Sequence, residues 1–179
     1  MSHLAWPLER LTSQSGPFVC SVMQIDPKWI DHNGHLNMAY YNIFMDESLG
    51  EFFRALGLSW PYLKARNLST MTAEIHMRYI REVSLGDPLQ VPIRILGVDD
   101  KRIHTFEELR HAEEGWLSAT SENMSLHIDM SVRKVAPFPP DMAERLRAVA
   151  DAHAKLPRPD GAGRKIEVPA KQQLRVDVA

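Results

Sequence analysis

The chain has 179 residues, 44% hydrophobic and 25% charged, which suits one soluble domain with a short appendage and excludes wholesale disorder. Lys and Arg number 21 against 23 Asp and Glu, a net charge of -2, so no nucleic-acid partner is expected; such binding usually needs a strong basic excess. The single cysteine, Cys20, allows no internal disulfide and suits a reducing compartment. Met1 to Arg10 lacks the apolar run of a signal peptide, and no segment approaches the ~20 apolar residues of a membrane span. A cytoplasmic protein without membrane contact is expected.

Residues 1–17 read as an N-terminal arm. Phe18 to Ile25 reads as a short strand between Gly16-Pro17 and Asp26-Pro27. Asp26 to Asn37 follows as a loop with the densest polar cluster in the chain. Met38 to Leu56 is the clearest helix, because Tyr41, Phe44, Met45, Leu49, Phe52 and Leu56 recur at three- and four-residue steps. Asn37 suits its N-cap and Gly57 its C-cap. Gly50 inside it costs about 1 kcal/mol against Ala, which a close approach of another backbone would explain.

Strands fill the middle of the chain. Met71 to Tyr79 alternates apolar Met71, Ala73, Ile75, Met77 and Tyr79 with polar Thr72, Glu74, His76 and Arg78. A turn at Leu85-Gly86-Asp87-Pro88 leads to Leu89 to Ile95, where Pro92 predicts an edge strand or a bulge. Arg102 to His111 is a weaker strand. Trp116 to Met130 is a long one, with Trp116, Met124, Leu126, Ile128 and Met130 on one apolar face and Glu122 among them. After Pro137 to Pro140, Asp141 caps a short helix to Lys155. Leu156 onward reads as a tail. Consecutive strands with one segregated long helix predict an α+β fold, a helix packed on an antiparallel sheet of about five strands. No glycine-rich phosphate loop follows the first strand, which argues against a dinucleotide or P-loop fold.

The chemistry concentrates in Trp29-Ile30-Asp31-His32-Asn33-Gly34-His35-Leu36-Asn37, which runs straight into the long helix. Unpaired N–H groups at a helix start carry partial positive charge and can stabilise an oxyanion on a carbonyl. Asp31 could act on the same carbonyl as general base toward water or as nucleophile. The same residues also serve plain loops and caps: Asp31, Asn33 and Asn37 suit both roles. Glu122 on an apolar strand face needs a partner. It is either one half of an ion pair with an arginine or a second site carboxylate facing water or a cation. His32 and His35 make only half a metal site, so none is expected. Cys20 in an apolar strand reads as inert, and no Gly-x-Ser-x-Gly elbow exists.

The run Asp31-x-Asn33-Gly34-His35-Leu36-Asn37-x-x-Tyr40 opening a long helix resembles the hotdog-fold acyl-CoA thioesterases of the 4-hydroxybenzoyl-CoA thioesterase type. Arg81 to Leu89 matches that group's strand and Gly-Asp turn. The resemblance covers roughly residues 18–135. The segments Glu74 to Tyr79, Leu96 to His104 and Ala119 to Asp129 narrow it to betainyl-CoA thioesterases, which also occur fused to carnitine dehydrogenases; this chain would be a free-standing version. The resemblance implies a hotdog domain over 18–136, a C-terminal helix and tail over 137–179, and a homodimer or homotetramer. It implies hydrolysis of an acyl-CoA, most plausibly betainyl-CoA in carnitine breakdown, without metal or redox cofactor. Asp31 would be the catalytic carboxylate, and backbone N–H groups at Asn37 and Met38 would polarise the thioester. Asn33, His35 and Tyr40 match the motif and would orient loop or substrate. Arg78, Arg81, Lys101, Arg102, Arg133 and Lys134 are candidates for coenzyme A phosphates. A quaternary ammonium would call for aromatic faces, for which Trp29, Tyr40, Trp60 and Trp116 are candidates. A hotdog enoyl-CoA hydratase and a non-catalytic acyl-CoA-binding module are the other readings; the presence of Asp31 favours an enzyme.

Overall fold

Apolar spacing sets the long helix, and the sheet curls around it. The computed structural model describes residues 5–13 and 15–167. In chain order these form α1 (Leu8–Thr12), β1 (Phe18–Val19), α2 (Tyr41–Leu56), α3 (Trp60–Arg66), β2 (Leu68–Tyr79), β3 (Leu89–Gln90), β4 (Pro92–Val98), β5 (Arg102–His111), β6 (Leu117–Asp129), β7 (Lys134–Val135) and α4 (Pro140–His153). The 3-10 turns Pro27–Trp29 and Met38–Tyr40 precede α2. The sheet is antiparallel, ordered β1-β4-β5-β6-β2, with the short β3 on β5 and β7 on β6. The expected five strands are its main path, and β3 and β7 are additions.

Helix α2 buries Phe44, Met45, Leu49, Phe52 and Leu56 against one sheet face, whose apolar members include Ile93, Ile103, Leu109 and Ala119. Its C-terminus is closed in two ways. Gly57, at φ 96°, turns the chain, with Gly57 N–H donating to Arg54 O at 3.0 Å and Leu58 N–H to Phe53 O at 2.8 Å. Arg145 from α4 donates to Leu56 O at 2.7 Å and Ala55 O at 3.2 Å, covering carbonyls that the helix itself leaves unpaired. Helix α4 buries Leu146 and Val149, and His153 Nδ1 accepts the Ile95 N–H at 2.9 Å.

Several expectations are corrected. The first strand stops at Val19, with one further bond from Cys20 N–H to Val91 O at 3.2 Å, because the chain bows out at Ser21, where Glu51 takes both its N–H (3.0 Å) and its hydroxyl (3.1 Å); a bridge returns at Met23 with Leu89. Pro92 begins β4 rather than marking an edge strand, a position where its missing N–H costs no ladder bond. Asp141 does not cap α4, which starts on Pro140; it sits in the first turn and pairs with Arg66 at 2.9 Å. No second backbone comes within 4 Å of the Gly50 position among the described residues. Helices α1 and α3 were not anticipated.

The most informative correction concerns β6. Its registered partners on β5 put Ala119, Ser121, Asn123 and Ser125 on the α2 side, opposite Leu109, Glu107, Thr105 and Ile103. The apolar face of β6, with Glu122, Met124 and Leu126, therefore points to the convex side of the sheet. That side is not bare. Arg94 donates to Pro157 O at 2.6 Å, Gly163 N–H donates to Glu122 Oε2 at 2.7 Å, and Phe106 beneath is 2% exposed. The first part of the presumed tail is a strap across the sheet. Residues 168–179 lie outside the described residues.

Candidate active site

Asp31 starts a tight hairpin, with Ile30 bridged to Leu36. Asp31 N–H donates to His35 O at 2.9 Å and Gly34 N–H to Asp31 O at 3.0 Å. The Asp31 carboxylate accepts the Asn33 N–H on Oδ1 at 2.8 Å; among the described residues Oδ2 takes no hydrogen bond. Gly34 has φ 83°, which an L side chain adopts only with strain, so the glycine lets the hairpin close. Leu36 N–H donates to Val83 O at 3.0 Å, which docks the hairpin on the segment after β2.

The helix start is organised by Asn37. Its side chain accepts the Ala39 N–H at 3.0 Å and its carbonyl the Tyr40 N–H at 3.0 Å. Its own N–H donates to Trp29 O at 3.0 Å. Asn37 is therefore a cap, and its N–H is spent, which corrects its expected role as an oxyanion donor. The Met38 N–H has no partner among the described residues, and Met38 borders a cavity of about 320 Å³ with Asp31, Leu36, Tyr41, Tyr79, Ile80, Arg81 and Glu82. Carboxylate and unpaired N–H thus meet at one cavity, as attack on a carbonyl requires.

Other anticipated residues separate into two groups. His35 pairs with Glu82 at 3.3 Å on the cavity rim, and Asn33 holds the hairpin tip through its N–H to Asp31. Tyr40 stacks on Trp29 at 5.6 Å, and Trp29 meets Phe44 edge-on, so this pair packs toward the core rather than into the cavity. Trp116 carries the Arg81 guanidinium on its ring at 3.9 Å, and Trp60 stands exposed on α3. The four aromatics do not converge, so the expected cage does not exist as drawn. Arg102 is tied to Asp99 at 2.7 Å in the β4–β5 turn, and Arg78 lies beneath the strap beside Gly161; neither lines the Asp31 cavity.

Glu122 is on the far side of the sheet. Its Oε1 is 2.7 Å from His104 Nε2 and its Oε2 accepts the Gly163 N–H. Its partner is a histidine and the strap, not an arginine, and it does not share the Asp31 cavity. It borders a separate cavity of about 580 Å³ under residues 163–166. Tyr41, Tyr79 and Glu82 were not singled out for the site. The first two looked like core residues because each continues an apolar period, Tyr41 in the helix and Tyr79 in the strand. Burial raises both phenols above their ordinary range. Burial also pushes up the Cys20 thiol, whose Sγ donates to Ser48 O at 3.4 Å, so it stays protonated and inert. Among the described residues, no group of three or more His, Cys, Asp and Glu side chains is placed to hold a metal, and no helix is long and apolar enough to cross a membrane.

Fold and cavity together describe a hotdog domain with a carboxylate at the start of its central helix. Residues 25–146 match the Thioesterase-like superfamily, and the chain belongs to that family. It is 35% identical over 143 residues to the betainyl-CoA thioesterase of Pseudomonas aeruginosa, covering 80% of this chain and 90% of that protein. It is 34% identical over 152 residues to the L-carnitine dehydrogenase/betainyl-CoA thioesterase of Rhizobium meliloti; these are 85% of this chain but 30% of the longer relative. Among solved structures, a Staphylococcus aureus protein in complex with coenzyme A superposes with a TM-score of 0.79 at 29% identity, covering 87% of this chain and 99% of that one. A Synechocystis 1,4-dihydroxy-2-naphthoyl-CoA thioesterase, 18% identical, shares the fold at a TM-score of 0.64, covering 76% of this chain and 98% of that one.

Proposed function

We propose that the protein hydrolyses betainyl-CoA to betaine and coenzyme A. The observation that carries the substrate is the 35% identity, over 90% of its length, to a relative named for that reaction. The Asp31 cavity supports the chemistry. The thioester carbonyl sits against Asp31 Oδ2, and the Met38 N–H donates to its oxygen as negative charge develops there. Asp31 either takes a proton from the water that attacks the carbonyl carbon, or attacks that carbon itself to give a mixed anhydride that water then opens. In either case water supplies the oxygen of the product carboxylate, the C–S bond breaks, and the sulfur leaves as thiolate and takes a proton. This chemistry asks for no metal or redox cofactor.

A homodimer is part of the proposal. Strand β2 is an edge strand of 12 residues, with Ile75 and Tyr79 exposed on the α2 side. Such an edge invites pairing with a second copy. The reaction is placed in the cytoplasm, which suits a lone cysteine.

The test is thiol release from betainyl-, acetyl-, 4-hydroxybenzoyl- and long-chain acyl-CoA. Betainyl-CoA should have the highest kcat/KM of the four. Preference for a long chain would overturn the substrate, and no thiol release from any ester would overturn the hydrolase.

A further inference from the structure

A betainyl group places its quaternary nitrogen one methylene from the carbonyl under attack. Whatever recognises that cation must therefore border the same cavity as Asp31. Trp29, Tyr40, Trp60 and Trp116 do not. Two other rings do: Tyr41, the first residue of α2, and Tyr79, the last of β2. Their centroids are 5.1 Å apart with planes at 87°, which makes an aromatic corner. The Tyr79 hydroxyl donates to Met38 O at 3.1 Å, so its ring is pinned to the helix start that supplies the unpaired N–H. Charge agrees with shape. Asp31 and Glu82 border the cavity, the Arg81 guanidinium is drawn onto Trp116, and His35 faces Glu82.

We infer that the Tyr41–Tyr79 corner, with the Glu82 carboxylate, is the determinant that selects a quaternary ammonium acyl group. The inference rests on the thioesterase reading of the Asp31 cavity and deepens it. Ring faces attract a cation through their quadrupole and do nothing comparable for a neutral group of the same shape. A purely apolar pocket would favour the neutral ester, because it strips water from the cation and returns nothing for the charge. The corner thus separates charge from size.

The discriminating pair is betainyl-CoA and 3,3-dimethylbutyryl-CoA, in which carbon replaces the nitrogen and the shape is kept. Wild type should favour the cation by roughly tenfold or more in kcat/KM. Tyr79→Leu and Glu82→Gln should each shrink that ratio severalfold while hydrolysis of the neutral ester persists. Trp60→Ala, remote on α3, should leave the ratio unchanged. Glu82 is exposed, so its variant tests the claim even if Tyr79→Leu fails to fold. An equal ratio in wild type and in both lowering variants would overturn the corner while the hydrolase stands. Release of thiol from neither ester would overturn the hydrolase reading itself.

Discussion

The two faces of the sheet each hold a carboxylate at a cavity, and the two differ in what is left unengaged. On the convex face Glu122 has both oxygens committed, one to His104 and one to the strap at Gly163, each at 2.7 Å. On the α2 side Asp31 has one oxygen committed to its own hairpin and the other without a hydrogen bond among the described residues, and the residue borders a cavity. Burial alone would rank Glu122 first, since only 14% of its side chain is exposed. Committed hydrogen bonds rank it below Asp31, because both its oxygens are bonded to protein, whereas catalysis needs an oxygen to spare. Glu107 makes the third case. It is fully buried beneath α2, its Oε1 accepts the Thr105 hydroxyl at 3.2 Å, and its Oε2 has no partner among the described residues. Burial favours its neutral form, so it resolves the cost by holding a proton.

Glu107 offers the largest effect on stability. Burial pushes its carboxyl up to about 8, against 4.5 ordinarily. The folded state therefore binds more protons than the unfolded chain between those values, and stability falls as pH rises from 4.5 to 8. His153 works in the opposite sense. Burial lowers it from 6.5 to about 4, so its contribution is present above 6.5 and lost as pH falls through 4. The slopes oppose each other between 4.5 and 6.5, and Glu107 acts alone above that. Glu107→Gln should gain on wild type steadily across pH 5 to 8.5, by a few kcal/mol at the top, in urea unfolding. A pH-independent difference would mean that Glu107 is ionised in the fold.

Gly34→Ala sharpens the contrast from the other side. Nothing lies within 4 Å of the position, so the only penalty is backbone strain at φ 83°. The expected cost is about 1 kcal/mol in thermal or urea unfolding, with a several-fold loss of thiol-release rate as the Asp31 hairpin shifts. A normal rate in a destabilised variant would show that Asp31 does not depend on this turn.

Much of this was legible in the chain, and the rest was hidden for definite reasons. The period of α2, its Gly57 cap and the Arg102–His111 strand follow from local pattern. The polar loop from Asp26 to Asn37 before the helix was equally readable, because Asp, Asn and Gly mark turns; that it closes as a hairpin at Asp31 shows only in the fold. Strand β6 misled because polarity does not say which face is the core. Its small Ser and Asn residues face α2, and its apolar residues face a strap made by a segment that looked like a tail. The same misreading put Glu122 on the core face, whereas it lies on the strap side of the sheet. Ser59, Pro61 and Asn67 do mark the start and end of α3, but seven residues carry too little period to stand out. That the Asn37 N–H is spent on Trp29 O needs the fold of the preceding loop and is not encoded in any motif.

The most direct test sets the two faces against each other: betainyl-CoA hydrolysis by Asp31→Asn beside Glu122→Gln, each checked for native circular dichroism. Asp31→Asn should lose at least about 100-fold in kcat, the range for removing a positioned acid–base group, while Glu122→Gln keeps wild-type turnover. Wild-type turnover in Asp31→Asn, or a comparable loss in Glu122→Gln, would contradict the assignment of the chemistry to the α2 side of the sheet.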